Sequence, residues 1–400
     1  MRRIISNSEV VLGITGSIAA YKACEIASRL VELGVRVIPV LTRSAQQLVG
    51  PASLEAITGQ RAIVEMFAPL QNPEVEHIAV ANRAALFLIA PATANVIAKA
   101  ACGIADDWLS TTLLATRAPV LFAPAMNTDM YNHPATQANI ETLRARGCHF
   151  VGPGTGRLAC GTIGVGRMID PMTVIEAALP LISGNRDLAG KRVLITSGGN
   201  REPIDPVRFI GNRSSGKMGR AIALEALVRG ATVVVVNGPA ETPMPYGIEV
   251  VSVETAAQMA EEVLSRAPDA DIIIGAAAVA DYRVEQSAPQ KLKRKGESLV
   301  LTLVENTDIL AEVGARKREG QIVVGFAAET NDLLANASAK LKKKNLDLIV
   351  ANQIGTADSA FGTDTIRAAF IAKDGDIDEL PLLSKEDLAE RLMDHILAVH

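Results

Sequence analysis

A short apolar run that ends in a glycine-rich turn and feeds an amphipathic stretch occurs twice in this chain. That repetition constrains the fold more than any other feature. Val10-Val11-Leu12-Gly13-Ile14 leads into Thr15-Gly16-Ser17. Residues 19–33 follow with helical periodicity, Gly34 closes them, and 35–41 read as the next strand. The pattern restarts at Arg192-Val193-Leu194-Ile195, which runs into Thr196-Ser197-Gly198-Gly199. After an irregular insertion, 219–228 read as helix, Gly230 as its C-cap and 231–236 as a strand. Each is the opening of a right-handed βαβ unit, with a glycine supplying the left-handed conformation that ends the helix. Two α/β domains are therefore expected, which suits 400 residues at roughly 100–200 per domain. The polar stretch 183–187 reads as the linker, so the expected domains are 1–188 and 189–400.

Further apolar runs fit both sheets. Residues 86–90 and 120–123 each end in proline, at Pro91-Ala92-Thr93-Ala94-Asn95 and Pro124-Ala125-Met126-Asn127. Residues 271–278 and 322–326 look alike in the second half. Open α/β sheets bind ligands beyond the carboxyl ends of their strands, so residues gathered there are the first place to search for chemistry. Composition narrows the function. Lys and Arg number 40 against 44 Asp and Glu, a formal charge of −4, and aromatics are 3%. That balance excludes a nucleic-acid binder working by counterion release and gives no polybasic membrane anchor. The apolar stretch 84–101 is bounded or broken by Arg83, Pro91, Asn95 and Lys99, so no membrane span is expected. Four cysteines without a C-x-x-C pair point to reduced thiols in a cytoplasmic chain. No H-E-x-x-H or clustered Cys/His pattern points to a transition metal.

Thr15-Gly16-Ser17 turns from strand into helix, so its N–H groups face whatever lies at the helix N-terminus. A plain tight turn reads equally well, and Lys22 either adds charge there or is solvated. Gly211-Asn212-Arg213-Ser214-Ser215-Gly216-Lys217 fits G-x-x-x-x-G-K, but Met218 stands where a P-loop needs Ser or Thr for magnesium. The preceding segment holds Pro203 and Pro206 and makes a poor strand. The turn can still offer N–H donors to an anion, with Arg208 and Asn212 beside it. His77 alone reads as a packed or surface residue. Cys160 stands out, in a glycine-rich loop where a buried structural cysteine is not expected, and such loops can act as lids. Cys24, Cys102 and Cys148 read as filling. The basic runs Lys291, Lys293, Arg294, Lys295 and Lys340, Lys342, Lys343, Lys344 are either solvated surface or contacts for a nucleotide triphosphate.

Over essentially its whole length the chain resembles the bifunctional bacterial coenzyme A biosynthesis proteins, which fuse a phosphopantothenoylcysteine decarboxylase to a phosphopantothenate–cysteine ligase. The first half carries Gly16-Ser17-Ile18-Ala19-Ala20-Tyr21-Lys22, His77, the two proline motifs above and Ala159-Cys160-Gly161. The second carries Thr196-Ser197-Gly198-Gly199, Arg201-Glu202-Pro203-Ile204-Asp205-Pro206-Val207-Arg208 and Asn212 with Ser214-Ser215-Gly216-Lys217-Met218-Gly219. Ala276-Ala277-Ala278-Val279-Ala280-Asp281-Tyr282 and Lys344-Asn345-Leu346-Asp347 complete it. Two departures, Tyr131 where Trp is usual and Asn200 where Thr is common, fall outside the residues carried over.

The resemblance implies two Rossmann-like three-layer α/β domains. The first is a flavodoxin-like flavoprotein of the homo-oligomeric flavin-containing Cys decarboxylase type, and the second a Rossmann-like ligase domain. FMN would lie on Gly16, Ser17, Thr42, Thr93 and Asn95, with His77 as the catalytic histidine beside it. Asn127 would hold the substrate carboxylate and Cys160 would donate a proton from the lid. The family first oxidises the substrate thiol to a thioaldehyde, whose C=S accepts electrons as CO₂ leaves, and the enethiol is then reduced to 4′-phosphopantetheine. In the ligase half, CTP would activate the carboxylate of 4′-phosphopantothenate as an acyl-cytidylate, and cysteine would displace CMP. Ala277, Asp281, Lys291, Phe326, Lys340 and Lys344 match nucleotide positions, with Mg²⁺ on the triphosphate and Asp281 its candidate ligand. Asn212 matches the residue that holds the acyl intermediate, Lys291 a catalytic cation and Arg208 a nearby substrate contact. The implied partners are small molecules, not nucleic acid or membrane, in a homo-oligomer of decarboxylase trimers and ligase dimers. Two other readings compete: a flavin or dinucleotide sensor without turnover, which has no need of His77, Asn127, Cys160, Asn212 and Lys291 together, and a P-loop phosphotransferase, weakened by Met218.

Overall fold

Five parallel strands build the first sheet: β1 (Glu9–Ile14), β2 (Arg36–Leu41), β3 (Leu86–Ala92), β4 (Val120–Pro124) and β5 (His149–Phe150). The computed structural model describes residues 5–66, 76–294, 298–329, 332–353 and 363–398. Every residue of β1 and β3 is buried, so both faces are covered, and apart from Glu9, which pairs with Arg36 and Arg83, the strands read as apolar runs. The order β2-β1-β3-β4-β5 is the flavodoxin-like one, whose topological switch point is the crevice between β1 and β3. The helix expected over 19–33 starts instead as a 3-10 turn, Ile18–Tyr21, and becomes α-helical over Lys22–Glu32. Ser17 caps that turn by accepting from the Ala19 N–H. The α-helix buries Ala23, Ile26, Ala27 and Leu30 along one stripe. Beyond the sheet, β6 (Gly154–Arg157) and β7 (Ile163–Arg167) form a separate antiparallel hairpin.

The second unit opens with β8 (Arg192–Ser197) and a small ribbon of β9 (Glu202–Pro203) and β10 (Phe209–Ile210). Then come β11 (Thr232–Asn237), β12 (Glu249–Ser252), β13 (Ile272–Gly275) and a ribbon of β14 (Tyr282–Val284) with β15 (Leu303–Glu305). The chain continues through β16 (Ile322–Glu329), β17 (Leu348–Gln353), the short β18 (Thr365–Ile366), β19 (Ala368–Ala372) and β20 (Ile377–Glu379). The main sheet runs β12-β11-β8-β13-β16-β17-β19-β20. Its first six strands are parallel; β19 runs antiparallel to β17, and β20 antiparallel to β19. Those six follow the Rossmann order, which puts the switch point between β8 and β13. Alternate residues of β8 serve opposite cores: Val193 and Ile195 pack with Ile222 and Leu392, Leu194 with Met259 and Leu341. The helix expected from 219 begins earlier, at Lys217. Gly219 lies inside it because a Cβ there would sit 2.3 Å from Ser197 Oγ.

The two compact units divide between Asn185 and Arg186. Leu188 is fully buried in a core of the second unit, and Asp187 pairs with Arg229. A fragment starting at residue 186 is therefore expected to outlast one starting at 189 in urea. The difference should be about the 1.5–3 kcal/mol that burying one leucine side chain is worth. Equal stabilities from denaturation curves would refute that. Cys102 departs from the filling role expected of it: it is exposed at the end of the Ala94–Cys102 helix. Cys24 and Cys148 are half-buried. Among the described residues, no helix is long and apolar enough to cross a membrane.

Candidate functional sites

At the β1–β3 crevice Thr15 ties the strand ends together, its hydroxyl donating to Pro91 O (2.7 Å) and accepting from the Thr93 N–H (3.0 Å). Position 16 requires glycine, since a Cβ would lie 2.4 Å from Ser44 Cβ. Thr42, just past β2, reaches Ile14 O with both its N–H and its hydroxyl. Thr93 caps the Ala94–Cys102 helix by accepting from Val96 N–H, and Asn95 stands exposed in the first turn. Gly16, Ser17, Thr42, Thr93 and Asn95 thus collect at one switch point, where N–H groups of a helix start suit a phosphate. Lys22, which reads either as added charge or as solvated surface, is half-buried. Its Nζ donates to Met168 O (3.4 Å), and burial, then the Arg167 charge, lower its pKa.

The hairpin supplies the rest. Asn127 caps the Thr128–Asn132 helix through Asp129 N–H (2.8 Å), and its Nδ2 lies 3.6 Å from Cys160 Sγ. Cys160 is exposed between β6 and β7, with Sγ 3.1 Å from Thr162 Oγ1. Hydrogen bonds from Thr162 first, and also from Asn127, hold the thiol below its ordinary pKa. Glycines let β7 lie against residues 126–128. A Cβ on Gly164 would meet Thr128 Oγ1 at 2.3 Å, and one on Gly166 would meet Met126 O at 2.3 Å. His77 is half-buried in the first turn of the Glu76–Arg83 helix, which leads into the start of β3. Among the described residues it makes no hydrogen bond to Asn127 or Cys160. A smaller cavity of about 170 Å³, walled by Leu113, Phe122, Leu143 and Cys148, holds none of these residues.

In the second unit, glycines bring loops over the ends of β8 and β13. A Cβ on Gly238 would lie 1.7 Å from Gly199 O, and one on Gly211 2.3 Å from Asn200 O. Asn200 is buried, its Oδ1 accepting from Ala280 N–H (2.7 Å) and its Nδ2 donating to Glu202. The departure at 200 thus bears on the site after all, because it fixes the peptide beside Asp281. A cleft of about 910 Å³ opens there, lined by Asn212, Ala277, Asp281, Phe326, Lys340 and Lys344, together with Lys217, Lys343 and Lys385. Asn212 Nδ2 donates to Val279 O (2.9 Å), and Lys344 Nζ lies 3.0 Å from Asp308 Oδ2. Burial, then the Lys217 charge, lower the Lys385 pKa, while Lys217 pairs with Asp364 at 2.6 Å. In the Lys344–Asp347 motif only Lys344 lines the cleft. Asn345 donates to Gly314 O, Leu346 is buried and Asp347 accepts from Val323 N–H.

Arg208 and Lys291 stand outside that lining. The Arg208 guanidinium is engaged by Asp205 and by Leu292 O (2.8 Å), while Lys291 is exposed next to Leu292. Lys295 lies outside the described residues. Sequence reasoning passed over Asp205 and Thr162. Thr162 had a signal, two residues from Cys160 in one turn; Asp205 had a weaker one, an Asp opening a turn. Among the described residues, no group of three or more His, Cys, Asp or Glu is placed to hold a metal.

A family model described as flavoprotein matches residues 2–183, and one described as DNA/pantothenate metabolism flavoprotein C-terminal domain matches 188–399. In class, then, this is a flavoprotein joined to a pantothenate-metabolism α/β unit. The coenzyme A biosynthesis bifunctional protein CoaBC of Bacillus subtilis (strain 168) is 44% identical over 400 residues, 99% of this chain and 98% of that protein. Its namesake from Escherichia coli (strain K12) is 43% identical over 396 residues, 98% of this chain and 97% of that one. The chain belongs to this family of bifunctional coenzyme A biosynthesis enzymes, with phosphopantothenoylcysteine decarboxylase and phosphopantothenate–cysteine ligase activities. A solved C-terminal domain of a CoaBC protein aligns at 39% identity and TM-score 0.47, over 54% of this chain and 98% of that one.

Proposed function

We propose that the second unit uses CTP to activate the carboxylate of 4′-phosphopantothenate, releasing pyrophosphate, and that the cysteine amine then displaces CMP. The observation that carries this reading is the cleft at the β8–β13 switch point, where Lys340, Lys343 and Lys344 gather with Asn212 and Asp281. Cations there offset the charge that develops at the phosphorus as the carboxylate attacks. With no group of three or more His, Cys, Asp or Glu placed to hold a metal among the described residues, magnesium would arrive on the triphosphate, and Asp281 would supply one carboxylate. Asn212, held on Val279 O, would keep the acyl intermediate in place.

The first unit would then decarboxylate 4′-phosphopantothenoylcysteine. The Gly16 cradle, closed to any Cβ, and the capped helix starts at Ser17 and Thr93 suit the FMN phosphate, with Thr42 and Asn95 beside it. Bound FMN supplies the two-electron oxidation of the substrate thiol and the return of those electrons. Asn127 would bind the departing carboxylate and His77 would serve as the catalytic histidine. Cys160, beside Asn127, would return the proton. Exposed Ile18, Tyr21 and Ile163 in the first unit and Val207, Phe209 and Val300 in the second fit assembly with further copies, as trimers and dimers respectively. Mass photometry reads that directly.

The purified chain is expected to be yellow and to release pyrophosphate with CTP, 4′-phosphopantothenate and cysteine. A colourless protein that only binds nucleotide would support the sensor reading. Lys291→Gln tests the ligase assignment more closely. Losing one contact to developing charge costs about 2.7–4 kcal/mol, roughly a hundred- to a thousandfold in rate. The loss should fall on pyrophosphate release without cysteine, and decarboxylation of supplied 4′-phosphopantothenoylcysteine should stay normal. A ligase rate within about threefold of wild type would make the basic run solvated surface.

A further inference from the structure

We infer that Asp205 and Arg208 are positioning residues, tethering the segment that carries Lys291 so that its ammonium is presented in one place. What Lys291 does rests on the ligase reading above; the tether rests on geometry alone. The Asp205 side chain is 0% exposed, yet its contacts are to its own turn and to the Lys291 segment. Oδ1 accepts from the N–H groups of Val207 (2.8 Å) and Arg208 (2.9 Å). Oδ2 accepts from Arg208 Nε (3.0 Å), from its Nη2, and from Leu292 N–H (3.1 Å). Arg208 Nη2 also donates to Leu292 O (2.8 Å), so the residue after Lys291 is gripped by both its N–H and its carbonyl. Ala288 N–H donates to Ile204 O (2.9 Å), pinning the segment a second time.

The chemistry suits a tether. Residues 286–294 form no helix or strand, so little in their own backbone fixes a lysine there. A guanidinium fork and a carboxylate can lock a peptide in direction as well as distance, which a single charge cannot. Burial alone would raise the Asp205 pKa, but hydrogen bonds from Arg208, Val207 and Leu292 outweigh it and hold the carboxyl well below the usual range. The acceptor therefore stays charged at any working pH. Arg208 is 44% exposed, so replacing it opens no core cavity. With its guanidinium engaged in this way, Arg208 acts on the reaction through Lys291 rather than by holding substrate.

The test uses the full chain carrying Arg208→Gln, Arg208→Lys or Lys291→Gln, and the Arg208→Gln/Lys291→Gln double variant. Native-state trypsin cleavage after Lys291, Lys293 and Arg294, mapped by mass spectrometry, should speed up about tenfold in Arg208→Gln as local opening becomes easier. Its thermal midpoint should fall only modestly, because the buried Asp205 carboxylate keeps the N–H donors of Val207, Arg208 and Leu292. In pyrophosphate release without cysteine, the double variant should be within about twofold of Lys291→Gln alone, because the two residues act as one unit. Arg208→Lys should fail to rescue, since it keeps the charge but loses the fork. Wild-type cleavage in Arg208→Gln overturns the tether. Multiplying losses, or rescue by lysine, overturn the positioning role and put Arg208 on substrate as a charge. A full-rate Lys291→Gln enzyme removes Lys291 from the ligase reading and the positioning claim with it, while cleavage still decides the tether.

Discussion

Replacing Cys160 by serine is expected to leave loss of carbon dioxide intact and to slow formation of the saturated thiol by roughly a hundred- to ten-thousandfold, the range a positioned general acid contributes. A hydroxyl is a far weaker acid than a thiol, and this thiol is more acidic than usual because Thr162, and also Asn127, hydrogen-bond to it. Mass spectrometry should then find the enethiol, two hydrogens short of 4′-phosphopantetheine, building up. The pH dependence has a fixed sign. Proton donation needs the neutral thiol, whose pKa lies below the ordinary 9.0, so product formation should begin to fall at a lower pH than an unperturbed cysteine would allow. Thr162→Val removes the leading hydrogen bond and should move that alkaline limb to higher pH. Normal turnover in Cys160→Ser, or an unmoved limb in Thr162→Val, would take the Cys160–Thr162 pair out of the chemistry.

The parts of this site that could be read from the sequence are those whose pattern is local. β1 and β8 are legible because a strand covered on both faces must be apolar through its middle, and their turns because only glycine fits them. Cys160 was legible because a glycine-rich loop is a poor place for a packed cysteine. Contacts between distant segments were not. Thr15 meets Thr93 across 78 residues, and Asp205 meets Leu292 across 87. Nothing in the pattern around a carboxylate tells which remote N–H it will accept. The same limit hid what the Arg208 guanidinium meets: a basic residue near a glycine turn suits an anion, and nothing in the pattern shows that it also pairs with a buried Asp three residues upstream. It also made Asn200 look incidental, when its Oδ1 is committed to the Ala280 N–H.

Arg229→Met is expected to destabilise the second unit strongly. The side chains of Arg229 and Glu225 are both only 2% exposed, and they meet at 2.8 Å. Arg229 also reaches Asp187 (3.3 Å), Asp394 (2.6 Å) and the Glu390 carbonyl (3.1 Å). It thereby joins the segment ahead of β8 to the Lys217–Val228 helix and to the C-terminal Lys385–Ala398 helix. Methionine fills similar space but takes from the buried Glu225 carboxylate the guanidinium it meets, at a cost of about 3–5 kcal/mol. At about 2–4 °C per kcal/mol for a unit of this size, the unfolding midpoint of the second unit should drop by roughly 6–20 °C. Asp394 is 49% exposed, so Asp394→Asn should cost less than about 1 kcal/mol. The sharper comparison is Glu225→Leu/Arg229→Met, which removes both charges and should recover most of the loss, because a paired buried charge is costly mainly when one partner is taken away. The two joined helices carry Lys217 and Lys385 at the cleft, so ligase activity should fail on warming well before decarboxylation. A double variant no better than Arg229→Met would show that the ion pair itself holds these elements together.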